Sequence, residues 1–154
     1  IKTDRLSLKF LTALLNSTTM KFWLKYKGKM QGDIFQVDKE PILNIPIKNI
    51  EDTKPFEILV DYIIYLKQEK KENYIIEFFE RVIDIAVYEL YFKEELHSKG
   101  FGILEVLESE LIPFDNSFET IDKVYKKLSD KNHKVAYNVN FIDTLDIVKT
   151  IENK

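Results

Sequence analysis

The chain has 154 residues and a formal net charge of −3, with 45% of residues hydrophobic and 32% charged. That length buries a real core, and that composition excludes a disordered chain. Cysteine is absent, which excludes disulfides, thiol enzymes and thiolate metal sites, and the two histidines, His97 and His133, stand far apart without a ligand pattern.

No window reaches the ~18 apolar residues of a membrane span, and no signal peptide opens the chain, so a cytoplasmic protein with no membrane partner is expected. The chain opens on Ile1 and enters a helical pattern within a few residues. It reads as a fragment whose parent carries its chemistry upstream. The charge is uneven. Residues 1–54 hold ten basic against six acidic residues, a balance of +4, and the rest hold 13 against 20, a balance of −7. A polyanionic partner would be met by the first third.

Taken in order, Thr3 or Asp4 is placed to cap a first helix with Leu6, Phe10, Ala13 and Leu14 on its apolar side. Asn16-Ser17-Thr18-Thr19 breaks it, because four short polar side chains compete for backbone hydrogen bonds. A second helix runs from Thr19 to Lys27 and stops at Gly28. Gly32 permits a turn before the β-prone Ile34-Phe35-Gln36-Val37. Asp38 can start one helical turn through Leu43, and Asn44-Ile45-Pro46-Ile47 reads as an extended return.

From Pro55 the texture changes. Phe56, Leu59, Val60, Ile63, Ile64 and Leu66 mark one helix, ended by the charged turn Lys67 to Glu72. Asn73 is placed to cap a long helix to about Leu96, apolar on so much of its circumference that it is expected at the centre. After Gly100 and Gly102 come a short helix from Ile103 to Leu111, another from Phe118 to Leu128 capped by Asn116 or Ser117, and a last helical segment from about His133. The expected fold is α+β but mainly α, a helical bundle or hairpin with a small strand-containing recognition unit near the N-terminus.

Between Met20 and Met30 the charged residues are Lys21, Lys25, Lys27 and Lys29, with no acid among them and with Phe22, Trp23 and Tyr26 interleaved. A basic run leading to a polar Gln31-Gly32-Asp33 tip suits a surface that meets phosphates and offers amide and carboxylate groups to base edges. The plainer reading is a solvated lysine face on an amphipathic helix. Trp23 and Tyr26 read as core anchors, and Asn16 and Ser17 as local caps. Asp84, Tyr88 and Tyr91 read as packing and hydrogen-bonding groups within the helical pair.

Catalytic patterns are missing. The close glycine pairs, Gly28/Gly32 and Gly100/Gly102, form no phosphate loop, and no serine–histidine–acid motif is present. Asp61 with Glu69-Lys70-Lys71 has the letters of a nuclease metal site, but such sites put Glu-x-Lys on a strand and here the letters fall at a polar helix end.

Leu14-Leu15-Asn16-Ser17, Phe22-Trp23-Leu24, the Gly28–Gly32 loop, Phe35-Gln36-Val37-Asp38-Lys39-Glu40 and Asn44-Ile45-Pro46-Ile47 occur in an order that resembles the closing part of a known domain. This is the TaqI-like target-recognition (specificity) domain of adenine-N6 DNA methyltransferases, especially the fused type IIG restriction–modification enzymes. Val82-Ile83-Asp84 and Val87-Tyr88-Glu89-Leu90-Tyr91, ending in Glu94-Glu95-Leu96, resemble the helix that follows that unit. The resemblance covers roughly Leu11 to Leu96.

It implies a division into residues 1–54 as the C-terminal part of a DNA target-recognition unit, 55–99 as an antiparallel helical hairpin and 100–154 as a helical tail. It implies double-stranded DNA and upstream methyltransferase or endonuclease domains of the same bacterial polypeptide as partners. Lys21, Lys25, Lys27 and Lys29 would contact phosphates, while Gln31, Asp33 and Gln36 would be candidates for base edges. The parent would be an S-adenosylmethionine-dependent adenine-N6 methyltransferase, with Mg²⁺ where it also cleaves. This chain contains no Pro-Pro and so lacks the family's methyltransferase motif. It is expected to be non-catalytic, with no cofactor or metal of its own. The competing expectation is a helical scaffold that docks the catalytic domains of the same parent.

Overall fold

The computed structural model describes residues 7–27, 29–31, 34–36, 44–47, 50 and 52–153. Helix α1 (Leu8–Asn16) begins at Ser7, whose Oγ accepts the Phe10 N–H at 3.3 Å. The caps expected at Thr3 and Asp4 lie outside the described residues. Ser17 both ends α1 and starts α2 (Thr18–Lys27). Its N–H and hydroxyl donate to Leu14 O at 3.0 and 2.7 Å, and its Oγ accepts the Met20 N–H at 3.3 Å. A buried serine that satisfies both helix ends turns the polar run into a corner rather than a loop.

The spine is α4 (Asn73–Tyr91), reached from α3 (Lys54–Gln68) through the turn at 69–72, so that the two helices fold back on one another. Six residues of α4 are β-branched (Ile75, Ile76, Val82, Ile83, Ile85 and Val87), each weakening a helix by roughly 0.5 kcal/mol against alanine. All six are buried. Burying each contributes about 1.5–3 kcal/mol, so packing outweighs propensity several-fold and α4 is helical because it is central. α3 and α2 pack against it, α1 packs on α3 and α2, and one continuous apolar cluster runs from Phe10 through Phe56, Phe79 and Leu96 to Ile151. Two fully buried tyrosines need partners for their hydroxyls and have them: Tyr62 donates to Ile112 O, and Tyr88 to Glu152 at 2.7 Å.

The single long helix expected from Asn73 to Leu96 breaks at Phe92 (φ −131°, ψ 40°), and a separate α5 (Lys93–Ser98) follows. α5 ends in a Schellman motif: Gly100 N–H donates to His97 O and Phe101 N–H to Leu96 O, with Gly100 at φ +81° and Phe101 and Leu96 both buried. α3 ends the same way, with Lys71 N–H on Leu66 O and Lys70 N–H on Lys67 O, but there the left-handed position holds Lys70 at φ +51°. Then come α6 (Leu104–Glu110), α7 (Phe118–Leu128) and α8 (Lys134–Phe141), the last started by His133 accepting the Val135 N–H. A 3₁₀ turn (Ile142–Thr144) and α9 (Asp146–Glu152) complete the chain, so the segment after His133 is two helices rather than one.

The α+β expectation is corrected: the described chain is helical almost throughout, and the strand-containing recognition unit is not seen. Its extended structure amounts to two three-residue segments, Lys29–Gln31 and Ile34–Gln36, which pair antiparallel with Met30 opposite Phe35. A ribbon that short makes no sheet layer. The return at residues 44–47, expected as a second strand, is a turn and irregular backbone held by a side chain, Tyr91 OH donating to Pro46 O at 2.7 Å. β-Propensity alone does not make a strand without a partner edge. The helical turn expected from Asp38 to Leu43 lies outside the described residues.

Candidate nucleic-acid interface

α2 is held at its N-terminus from outside. The Thr18 N–H and hydroxyl donate to the two carboxylate oxygens of Asp84, at 2.8 and 2.7 Å, fixing α2 to the middle of α4. Burial raises the Asp84 pKa, and the Thr18 bonds and nearby Arg81 only partly oppose it. Thr19 and Met20 face the core, and Phe22, Trp23 and Leu24 are half-buried. Tyr26 is 71% exposed, its ring 4.6 Å from that of Phe22. Tyr26 is therefore no core anchor, contrary to the sequence expectation, whereas half-buried Trp23 keeps that role in part.

Lys21, Lys25 and Lys27 are exposed, and among the described residues none of them forms an ion pair. Helix geometry brings two of them together. Lys21 and Lys25 are one turn apart on the same face, while Lys27 is two residues beyond Lys25 and points to the far side. Lys29 and Gln36 are opposed in the ribbon by backbone register, and Gln31 is opposed to Ile34. Asp33 lies outside the described residues.

Lys21 and Lys25 line a groove of about 460 Å³ between α2 and α9. Its floor is an ion-pair network. Arg81 on α4 binds Asp143 of the 3₁₀ turn and Glu152 of α9, and Tyr88 donates to the same Glu152. Burial alone would lower the Arg81 pKa; Glu152 and Asp143 reverse that and raise it. The Tyr88 pKa is raised by burial and by its bond to Glu152. Asp84, Tyr88 and Tyr91 thus reach out of the helical pair, to α2, α9 and residue 46, rather than bonding within it as expected.

A second buried acid was not singled out from the sequence. Glu89 of α4 is 6% exposed; its Oε2 accepts the Ile103 and Leu104 N–H groups at 2.7 and 2.8 Å, and its Oε1 lies 2.8 Å from His97 Nε2. In a continuous helix, residues eight apart would be ~12 Å apart along the axis, so the break at Phe92 is what folds His97 back onto Glu89. Gly102, at φ +135°, passes close enough that a Cβ would sit 2.9 Å from Glu89 Oε1. A signal was available in the sequence: from Arg81 to Tyr91, Arg81, Asp84, Tyr88 and Glu89 interrupt an apolar run that has to be buried, and buried charges require partners.

The nuclease letters do not assemble. Asp61 pairs with Lys9 at 2.7 Å, and Glu69, two turns further along, is the exposed C-cap just past the end of α3. Among the described residues no group of three or more acids and histidines is placed to hold a metal ion. No helix of the described residues is long and apolar enough to cross a membrane.

No family model matches the chain, and no solved structure matches it. A stretch of 45 residues, 29% of the chain, is 38% identical to the Type II methyltransferases M.HincII and M.HindII, both from Haemophilus influenzae. The match spans 9% of the length of each relative. This partial similarity links the chain to the methyltransferases of restriction–modification systems.

Proposed function

We propose that the chain is a DNA-recognition segment of a restriction–modification DNA methyltransferase, non-catalytic by itself and working beside methyltransferase domains of the same polypeptide. The observation that carries this reading is the acid-free lysine face of α2, exposed, unpaired among the described residues and accompanied by the exposed Tyr26 ring. The partial similarity to type II methyltransferases supports the same direction. Lysines would supply the sequence-blind, salt-sensitive part of binding, and Gln31, Asp33 and Gln36 the base contacts.

The test is fluorescence anisotropy of a labelled random-sequence duplex at low and near-physiological salt, followed by site selection. Binding that weakens with salt, and a site preference altered by Gln31→Ala or Asp33→Ala but not by lysine changes, is the expected result. Equal losses on every sequence from both sets of changes would sink base reading, and no binding at low salt would sink the whole proposal. The alternative, a scaffold that docks catalytic domains through its long apolar helix, loses ground because α4 is already covered by the chain's own helices.

A further inference from the structure

Resting on the DNA reading above, we infer that the groove between α2 and α9 seats a phosphate of the DNA backbone, so that the C-terminal helix is the second wall of the interface. Three features of the groove point to an anion. Lys21 and Lys25 project into it from one helix face and are not committed to any acid among the described residues. The opposite wall offers Asn153, a neutral side chain whose amide can donate hydrogen bonds to a phosphate oxygen, beside the uncharged Thr150. The single acid lining the groove, Glu152, has an 8%-exposed side chain and is bound by both Arg81 and Tyr88, so it presents little negative charge to the space above it.

Another lysine-lined groove lacks these properties. The groove at Lys67, Lys70 and Lys71 also contains Glu72 and Glu77, Lys67 is paired with Glu80 at 2.9 Å, and Lys71 lies over the Phe118 ring at 4.7 Å. Its cations are largely occupied. The α2/α9 groove keeps two cations free because the acids nearest it are already engaged elsewhere: Asp84 takes Thr18, and Glu152 and Asp143 take Arg81. The geometry thereby gives α9, which lies far from α2 in sequence, a direct part in binding.

The experiment places a carboxylate on the α9 wall. Thr150 is exposed and bonds only its own helix, donating to Asp146 O, so Thr150→Glu changes charge without touching the core. Thr150→Gln controls for size. Ser109→Glu, at another exposed hydroxyl that bonds its own helix and lines none of this groove, controls for net charge. Melting curves check that all three variants are folded.

With a labelled random-sequence duplex titrated across salt, the slope of log affinity against log salt should become shallower in Thr150→Glu by about 0.9, one phosphate contact, and stay unchanged in the two controls. Equal weakening by Thr150→Glu and Ser109→Glu, with the wild-type protein binding, would overturn the α9 wall and leave the DNA reading standing. No binding by the wild type would overturn the DNA reading and this inference together.

Discussion

Residues 21–29 and 67–71 each concentrate lysines, yet the structure treats them differently. In the first stretch no acid interrupts the lysines; Lys21, Lys25 and Lys27 lie exposed and unpaired among the described residues, beside an exposed tyrosine. In the second, Glu69 interrupts the lysines and two cations have structural work: Lys67 bridges α3 to Glu80 of α4, and Lys71 covers Phe118 of α7. The difference teaches that a lysine count says little about a polyanion surface. What matters is whether folding has already supplied each lysine with a partner.

The comparison breaks or sharpens most directly in DNA binding. Replacing Lys21 and Lys25 together by alanine should lower the salt slope by about 1.8, two phosphate contacts at about 0.9 each. Lys67→Ala with Lys71→Ala removes the same charge and should leave the slope unchanged while costing about 0.5–1 kcal/mol of stability. Equal slopes for the two double variants would erase the distinction.

Gly102→Ala separates stability from binding, since Gly102 touches neither lysine set. It should cost about 1–3 kcal/mol in denaturant unfolding, from the positive φ and the clash with Glu89, and leave duplex affinity unaltered while the protein is folded. Loss of affinity in the folded variant would show that binding follows global stability.

Asp84 tests whether the lysine helix needs its anchor. Asp84→Ala should lower stability by about 1–2 kcal/mol, a lost helix cap. The pH dependence has a definite sign. Burial raises the folded-state pKa of this carboxyl above its unfolded value, so the folded protein holds the proton more tightly. The contribution of this group to stability should fall as pH rises from the ordinary aspartate range to the raised value, and Asp84→Asn should flatten that portion of the profile. A profile identical in wild type and Asp84→Asn would show that Asp84 titrates alike in both states.

The smallest effect is a gain. Lys70→Gly relieves a left-handed lysine at the end of α3 and should raise stability by about 1 kcal/mol, read as a higher melting temperature with duplex binding unchanged. A lower melting temperature would mean that the lysine side chain contributes more than its backbone strain costs.

Much of the helical framework was legible because its signals are local. Apolar spacing marked α3 and α7, and the Ser-Thr run marked the corner at Ser17. The break at Phe92 carried no such signal: Glu94-Glu95-Leu96 continues a helical pattern, with neither glycine nor proline nearby. The chain turns there because Glu89 gathers His97, Ile103 and Leu104 around one buried carboxylate, a demand set by residues up to fifteen positions away. The Ile45-Pro46-Ile47 return misled for the same reason. Its residues favour extension, but a strand requires a partner edge, and among the described residues this segment is held instead by Tyr91 on Pro46 O and by Ile45 packing on the core.

By itself the sequence determined where most of the helical segments lie, that α4 is central, and that basic and acidic residues are segregated, since these follow from periodicity and composition along the chain. Tertiary structure decided which lysines stay free, that Tyr26 faces solvent, and that α9 lies beside α2. The physical reason is that a charge is neutralised, and a ring buried, by neighbours that packing brings close, and those neighbours here come from helices more than sixty residues apart in sequence.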